Sequence, residues 1–168
     1  MIALADLDAL YASARILGSP DAAANFERVM RVNVHGTFNV TQAFVPQLKA
    51  AKGHIVNIAS IAAFAGQGSI LGYAPSKGAI KMYTQSLAQE LAPFGVRVNA
   101  LAPGVIDTPM TAFTRQTPDK LERFMSRIPL GRVGQPGDLV GPIVFLCSPL
   151  AAYVTGVILP VDGGFLAV

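Results

Sequence analysis

The 168-residue chain has no tryptophan, a single cysteine and few charges, 14% of its residues against the roughly 25% of an ordinary globular domain. The one cysteine, Cys147, excludes an internal disulfide and any zinc site built from several thiolates, and it is expected to pack inside a buried helix. His35 and His54 fit no metal-ligand or triad spacing, so no metal is expected. Basic residues exceed acidic ones by only 13 to 10 and are scattered, without the aromatic-basic stripe of a nucleic-acid binder. No basic stretch precedes the first apolar residues, and Asp6 and Asp8 interrupt them; no secretory leader is legible and a cytoplasmic location is expected. The charge-free run over 139–161 is long enough to span a bilayer, yet Pro142, Pro149, Gly156 and Pro160 break it into a helix, a turn and a strand. No membrane partner is expected.

What is present is apolar: 52% of the residues, enough to exclude disorder and, with so little charge, to favour self-association as a dimer or tetramer. No repeat or polar linker divides the chain, so residues 1–168 read as one domain. Apolar residues recur at helical spacing over 25–49, with Pro46 expected to kink or thin the last turn and Gly53 to close the helix. A short, nearly all-apolar run over 54–60 predicts a parallel strand buried on both faces. A glycine-rich loop over 66–72 follows, then a helix over 75–91 with Pro93 against helical geometry at Ala92, and a strand over 96–101. An irregular basic segment carries Arg115, Lys120, Arg123, Arg127 and Arg132. A helix over 136–148 and a strand over 154–161 complete the pattern, and Pro160 predicts that this strand lies at a sheet edge. Residues 1–10 are too ambiguous to assign. Alternation of helix and strand gives an α/β domain with three core strands.

Tyr73 and Lys77 stand one helical turn apart and so share a face. An ammonium beside a phenol favours the phenolate, lowering the tyrosine pKa toward working pH and making it a usable general acid or base. On its own this pair also fits a solvated helix face. Ser60 sits at the carboxyl end of a buried strand, where open α/β sheets bind ligands, and its hydroxyl is placed to hold a carbonyl oxygen beside the phenol.

Several separated segments resemble the short-chain dehydrogenase/reductase family in order and spacing: Ile55-Val56-Asn57-Ile58-Ala59-Ser60, Tyr73-Ala74-Pro75-Ser76-Lys77, Asn99-Ala100-Leu101-Ala102-Pro103-Gly104 with Thr108, Gly131-Arg132-Val133-Gly134-Gln135-Pro136, and Thr155-Gly156 through Val161-Asp162-Gly163-Gly164. The resemblance runs from about Phe26 to the end. It implies the C-terminal part of a Rossmann-like, doubly wound parallel sheet in three α/β/α layers, with NAD or NADP as cofactor and a small-molecule alcohol or carbonyl as substrate. It further implies Tyr73 as proton donor or acceptor, Lys77 as the residue that lowers its pKa and binds ribose, Ser60 orienting the substrate oxygen, and Asn33 holding a water in the proton relay. Pro103, Gly104, Ile106 and Thr108 resemble the segment that meets the nicotinamide. Plainer readings stand beside these: a polar helix residue at Asn33, a loop cap at Ser60, a strand-ending turn over 103–108. The basic segment falls where the family has a substrate lid, which would suit an acidic substrate or carrier protein, although a solvated helix face accounts for it too.

The family's Gly-x-x-x-Gly-x-Gly fingerprint is absent, as are the Asn-Asn-Ala-Gly motif and the residue that chooses NAD over NADP. The chain therefore reads as truncated at the N-terminus, the first βαβ units missing, with cofactor binding weakened and the edge of the strand over 55–58 exposed. Two functions follow from this: an NAD(P)-dependent oxidoreductase, or an inactive fragment that persists as an oligomerising module. A 3-oxoacyl thioester, a sugar or polyol, and a steroid-like alcohol all remain open as substrates.

Overall fold

The computed structural model describes residues 20–66 and 72–168. The unassigned residues 1–10 and most of the glycine-rich loop lie outside the described residues. Three parallel strands, β1 (His54–Ile58), β2 (Arg97–Pro103) and β3 (Ile158–Val161), lie in the order β1-β2-β3. Asn57 stands opposite Ala100, and Ala102 opposite Pro160. Pro160 thus lies on a strand with β2 as its one neighbour among the described residues, as its missing N–H requires.

Helix α1 (Ala22–Met30) passes through a single π-helical turn, Arg31–His35, into α2 (Gly36–Ala51), which continues past Pro46. The chain reverses at Lys52, whose φ of 49° is left-handed, rather than at the expected Gly53. Gly53 is required for space instead: a Cβ there would stand 2.9 Å from Leu48 Cδ2. Helix α3 (Tyr73–Leu91) starts two residues before Pro75, because the N–H groups of a first turn have no intrahelical acceptor; Ser76 is the first to donate, to the Gly72 carbonyl at 3.1 Å. It continues as a 3-10 turn through Pro93, over Ala92–Phe94, and Gly95 at φ 74° ends it.

Burial follows from position in the sheet. Strand β2, paired on both sides, keeps Val98, Ala100, Leu101 and Ala102 free of solvent. Val98 clusters with Leu87, Ala88 and Leu91 of α3, and Ala100 and Ala102 cluster with Ile80 of the same helix. Alternate residues point to the opposite face, toward α6 (Val140–Cys147) and the loop after it. There the Arg97 guanidinium donates to the carbonyls of Leu146 (2.9 Å), Ser148 (3.2 Å) and Val154 (3.2 Å). Asn99 donates to Val154 O (2.9 Å) and accepts from Val157 N–H (3.1 Å). Helices on both faces of a parallel sheet give the three-layer α/β/α arrangement.

Three expectations are corrected by this packing. Strand β1 is not buried on both faces: among the described residues only β2 flanks it, and Ile58 is 49% exposed. Cys147 is exposed, because α6 buries only Leu146 and leaves Val144 and Phe145 open. The basic segment is not irregular throughout but contains two short helices, α4 (Ala112–Gln116) and α5 (Pro118–Met125). Among the described residues no helix is long and apolar enough to cross a membrane.

Arg97, with three bonds to backbone carbonyls, and Asn99, with two bonds to backbone groups, tie β2 to the segment that carries the chain to β3. Arg97→Met, which keeps the aliphatic stem, should lower the unfolding free energy by about 2 kcal/mol in urea titration; an unchanged midpoint would contradict that role.

Candidate active site

The sheet's carboxyl end organises the candidate residues. Ser60, two residues beyond β1 in extended backbone, caps the turn Ile61–Ala63: its Oγ accepts from Ala62 N–H at 3.1 Å. The same side chain hydrogen bonds the Tyr73 hydroxyl at the start of α3, so the residue that caps the turn also stands beside the phenol. Lys77, one turn along α3, extends back to β1 and donates from Nζ to the Ile58 carbonyl at 2.8 Å, with Nζ 5.6 Å from the centre of the Tyr73 ring.

Asn33 lies within the π turn, whose extra residue interrupts the regular helix, a distortion common at functional sites. Its Nδ2 donates to Ser76 Oγ (2.9 Å), and the Ser76 hydroxyl donates in turn to the Tyr73 carbonyl (2.7 Å). Ser76 is fully buried, so a two-bond chain fixes Asn33 against the first turn of α3. Thr37 closes the arrangement by donating from Oγ1 to the Asn33 carbonyl at 2.7 Å. Sequence reasoning gave Ser76 no role, although its position three residues after Tyr73 on a helix places it over the same turn.

The electrostatics differ from expectation. Burial pushes the Tyr73 phenol above its ordinary value, and the Ser60 hydrogen bond offsets this only in part. Lys77 does not pull it down: the amine is turned to the Ile58 carbonyl, and its own burial lowers it from 10.5 to about 8. Removal from water outweighs the attraction expected from spacing alone, leaving a neutral phenol beside an amine that titrates near working pH.

On the other side, Gly104 follows β2 and donates to Val161 O at 3.0 Å; a Cβ at this position would stand 2.8 Å from Asp162 Cα, so the glycine permits the two strand ends to meet. Ile106 bridges to Gly134, and Thr108 opens the turn Pro109–Thr111. The segment is thus a strand-ending turn and also a wall. One cleft of about 430 Å³ is lined by all eight expected residues, Asn33, Ser60, Tyr73, Lys77, Pro103, Gly104, Ile106 and Thr108. Ile61, Met110, Phe124 and Leu139 also line it and were not singled out from sequence, where isolated apolar residues look like ordinary core.

Most of the basic segment is engaged elsewhere. Arg115 pairs with Asp107 at 2.7 Å, Lys120 lies 3.9 Å over the Phe113 ring, and Arg127 lies 4.3 Å over Phe165. Arg132 grips Asp138 with both terminal nitrogens (2.7 and 2.9 Å), and this fork holds the Asp138 carboxyl well below the usual range. Among the described residues no three His, Cys, Asp or Glu side chains gather to hold a metal.

Comparisons with known proteins agree with this architecture. The family profile described as Enoyl-(Acyl carrier protein) reductase matches residues 5–166. The 3-oxoacyl-(acyl-carrier-protein) reductase of Aquifex aeolicus is 43% identical over 83% of this chain and 56% of its own length. Galactitol 2-dehydrogenase (L-tagatose-forming) of Cereibacter sphaeroides is 41% identical over 97% of this chain and 67% of its own. The solved gluconate 5-dehydrogenase of Burkholderia cenocepacia, in complex with NADP and tartrate, superposes with a TM-score of 0.87 at 32% identity, over 92% of this chain and 61% of that one. The chain thus spans a little over half the length of the Aquifex reductase. A profile covering nearly every residue, relatives above 40% identity and a shared parallel-sheet fold place the chain in the short-chain dehydrogenase/reductase family.

Proposed function

We propose that this chain carries the catalytic part of an NAD(P)-dependent oxidoreductase that interconverts an alcohol and a carbonyl, with Tyr73 as proton donor and acceptor. The observation that carries the reading is the meeting of Ser60, Tyr73, Lys77 and Asn33 in one cleft at the carboxyl ends of β1 and β2. The solved relatives described as holding NADP, or NADH in a 4-hydroxyisoleucine dehydrogenase, support the cofactor.

The residues present fit the nicotinamide-ribose end of such a cofactor. The Lys77 ammonium uses one of its three donors on Ile58 O and keeps the others for ribose hydroxyls, with Tyr73 adjacent. Pro103, Gly104, Ile106 and Thr108 form the opposite wall, against which the nicotinamide would rest. A bound nicotinamide supplies the acceptance and return of a hydride. Proton movement belongs to the protein. In reduction, the neutral Tyr73 phenol, held by Ser60, gives its proton to the carbonyl oxygen; in oxidation the phenolate takes the hydroxyl proton back. An amine with a pKa near 8 is matched to reprotonating that phenolate around neutral pH, and Asn33 holds the relay water.

The first test is titration of the chain with NADH and NADPH, followed by reduced-nicotinamide fluorescence. Saturable binding is expected, and none at millimolar cofactor would overturn the assignment for this chain. With cofactor bound, Tyr73→Phe should reduce carbonyl turnover by about 10²–10⁴-fold, and undiminished turnover would remove Tyr73 from the mechanism. Lys77 should give a lysine Cε resonance that titrates with a midpoint near 8 and is missing in Lys77→Met. Because the folded value lies below the unfolded one, the unfolded chain binds more protons between pH 8 and 10.5; this group's contribution to stability rises with pH across that window and Lys77→Met abolishes the rise.

A second reading, a non-catalytic module that persists by self-association, is favoured by Phe38, Val40 and Phe44, which α2 leaves exposed. Sedimentation velocity should show a dimer or tetramer; a stable monomer would count against it.

A further inference from the structure

The reacting oxygen is served by Ser60 and Tyr73, and the remaining walls of that cleft bear on the rest of the substrate. They are largely apolar: Ile61, Met110, Phe124 and Leu139 line the cleft together, with three threonines among them. Part of this wall is anchored in the protein interior. Ile61 clusters with the buried Ile128 and Phe165, and Phe124 packs on that cluster with its ring 5.8 Å from Phe165.

Away from Asn33, Ser60, Tyr73 and Lys77, the polar side chains of the lining are three threonines, Thr108, Thr111 and Thr114. Among the described residues no aspartate or glutamate lines the cleft, and Lys77 is the one cation. The Arg115 guanidinium, which bonds to the lining residues Thr108 and Thr111, is paired to Asp107 and donates to Thr108 O at 3.2 Å. Thr111 Oγ1 donates to the carbonyl of Ile106 and accepts from Thr108 N–H and from Arg115 Nε. Each hydroxyl of a polyol buried here would need a partner, and leaving one unpaired costs more than a hydrocarbon wall returns. A sugar acid would find, among the described lining residues, no cation beyond Lys77. A hydrocarbon body meets none of these costs and gains by leaving water.

Resting on the oxidoreductase reading, we infer that the substrate is an uncharged secondary alcohol or its ketone on a compact hydrocarbon body, alicyclic or branched alkyl, seated against Ile61, Met110, Phe124 and Leu139. Room favours compactness, since the same 430 Å³ must admit the nicotinamide end of the cofactor. Met110 and Leu139 are the specificity-determining residues, being half-buried wall positions outside the Ser60–Tyr73–Lys77 group.

The test is binding to the full 168-residue chain without cofactor, read from the methyl resonances of Ile61, Met110 and Leu139. Cyclohexanone should move all three saturably in the millimolar range, the strength open to so small a ligand, while galactitol and gluconate leave them in place. Leu139→Asp and, separately, Met110→Glu should each weaken cyclohexanone at least about tenfold. Binding of galactitol or gluconate as tight as that of cyclohexanone overturns the inference, as does the absence of saturable shifts with cyclohexanone or unchanged affinity in both variants. Because no turnover is read, the result stands apart from the nicotinamide titration and the Tyr73→Phe assay: a chain that binds the ketone but no nicotinamide fails the functional assignment and keeps the apolar site.

Discussion

Strand β2 is bonded on both edges and covered on both faces, and the candidate residues at the sheet's carboxyl end are arranged around that confinement. Its inward residues toward α3 are small at Ala100 and Ala102, so the helix lies close to the sheet with Ile80 at the contact. Close approach carries the first turn of α3 to the carboxyl end of β1, and this brings Tyr73 to Ser60 and Lys77 to the Ile58 carbonyl. On the reverse face β2 is polar at Arg97 and Asn99, and both are used up on backbone groups of the segment leading to β3. The sheet is thus joined to its helix by hydrophobic contact on one side and to its loop by hydrogen bonds on the other.

The chemistry follows from how dry each group is. Burial alone separates the two titratable partners in opposite directions, phenol upward and amine downward, so that the proton rests on the phenol. Such a pair is suited to delivering a proton before receiving one. Ser60 moderates the phenol, whereas the Lys77 stem spans from α3 to β1 and ties together the two elements beside which Tyr73 and Ser60 stand.

Much of this was legible from residues alone. Apolar runs located three strands and the main helices, the trace of burial being fullest in β2, which is buried along most of its length. Spacing was enough to place Tyr73 and Lys77 on one helical face, and all eight expected site residues line one cleft. What sequence could not convey were relations across the fold. Whether β1 was flanked decided the exposure of Ile58, and what α6 packed against decided that of Cys147. The direction of the Tyr73 shift turned on how deeply the fold buries the phenol, and the Lys77 amine found its acceptor nineteen positions away at Ile58. Ser76 escaped notice because its partners, Asn33 and the Tyr73 carbonyl, come from two different helices' turns.

The π turn at Arg31–His35 sets a phase. Each residue of a regular helix advances its side chain by about 100°, so one extra residue between α1 and α2 rotates everything that follows relative to everything before. Val29 ahead of it and Thr41 behind it are both buried, with Asn33 between them turned to Ser76. A strictly regular helix of the same sequence would bury one of the two and turn the other away. At that advance the twelve positions from Val29 to Thr41 would turn a regular helix by about 120°, and the extra residue returns the two buried side chains to nearly one side of a continuous rod, so chain length in this stretch bears on packing as residue identity does.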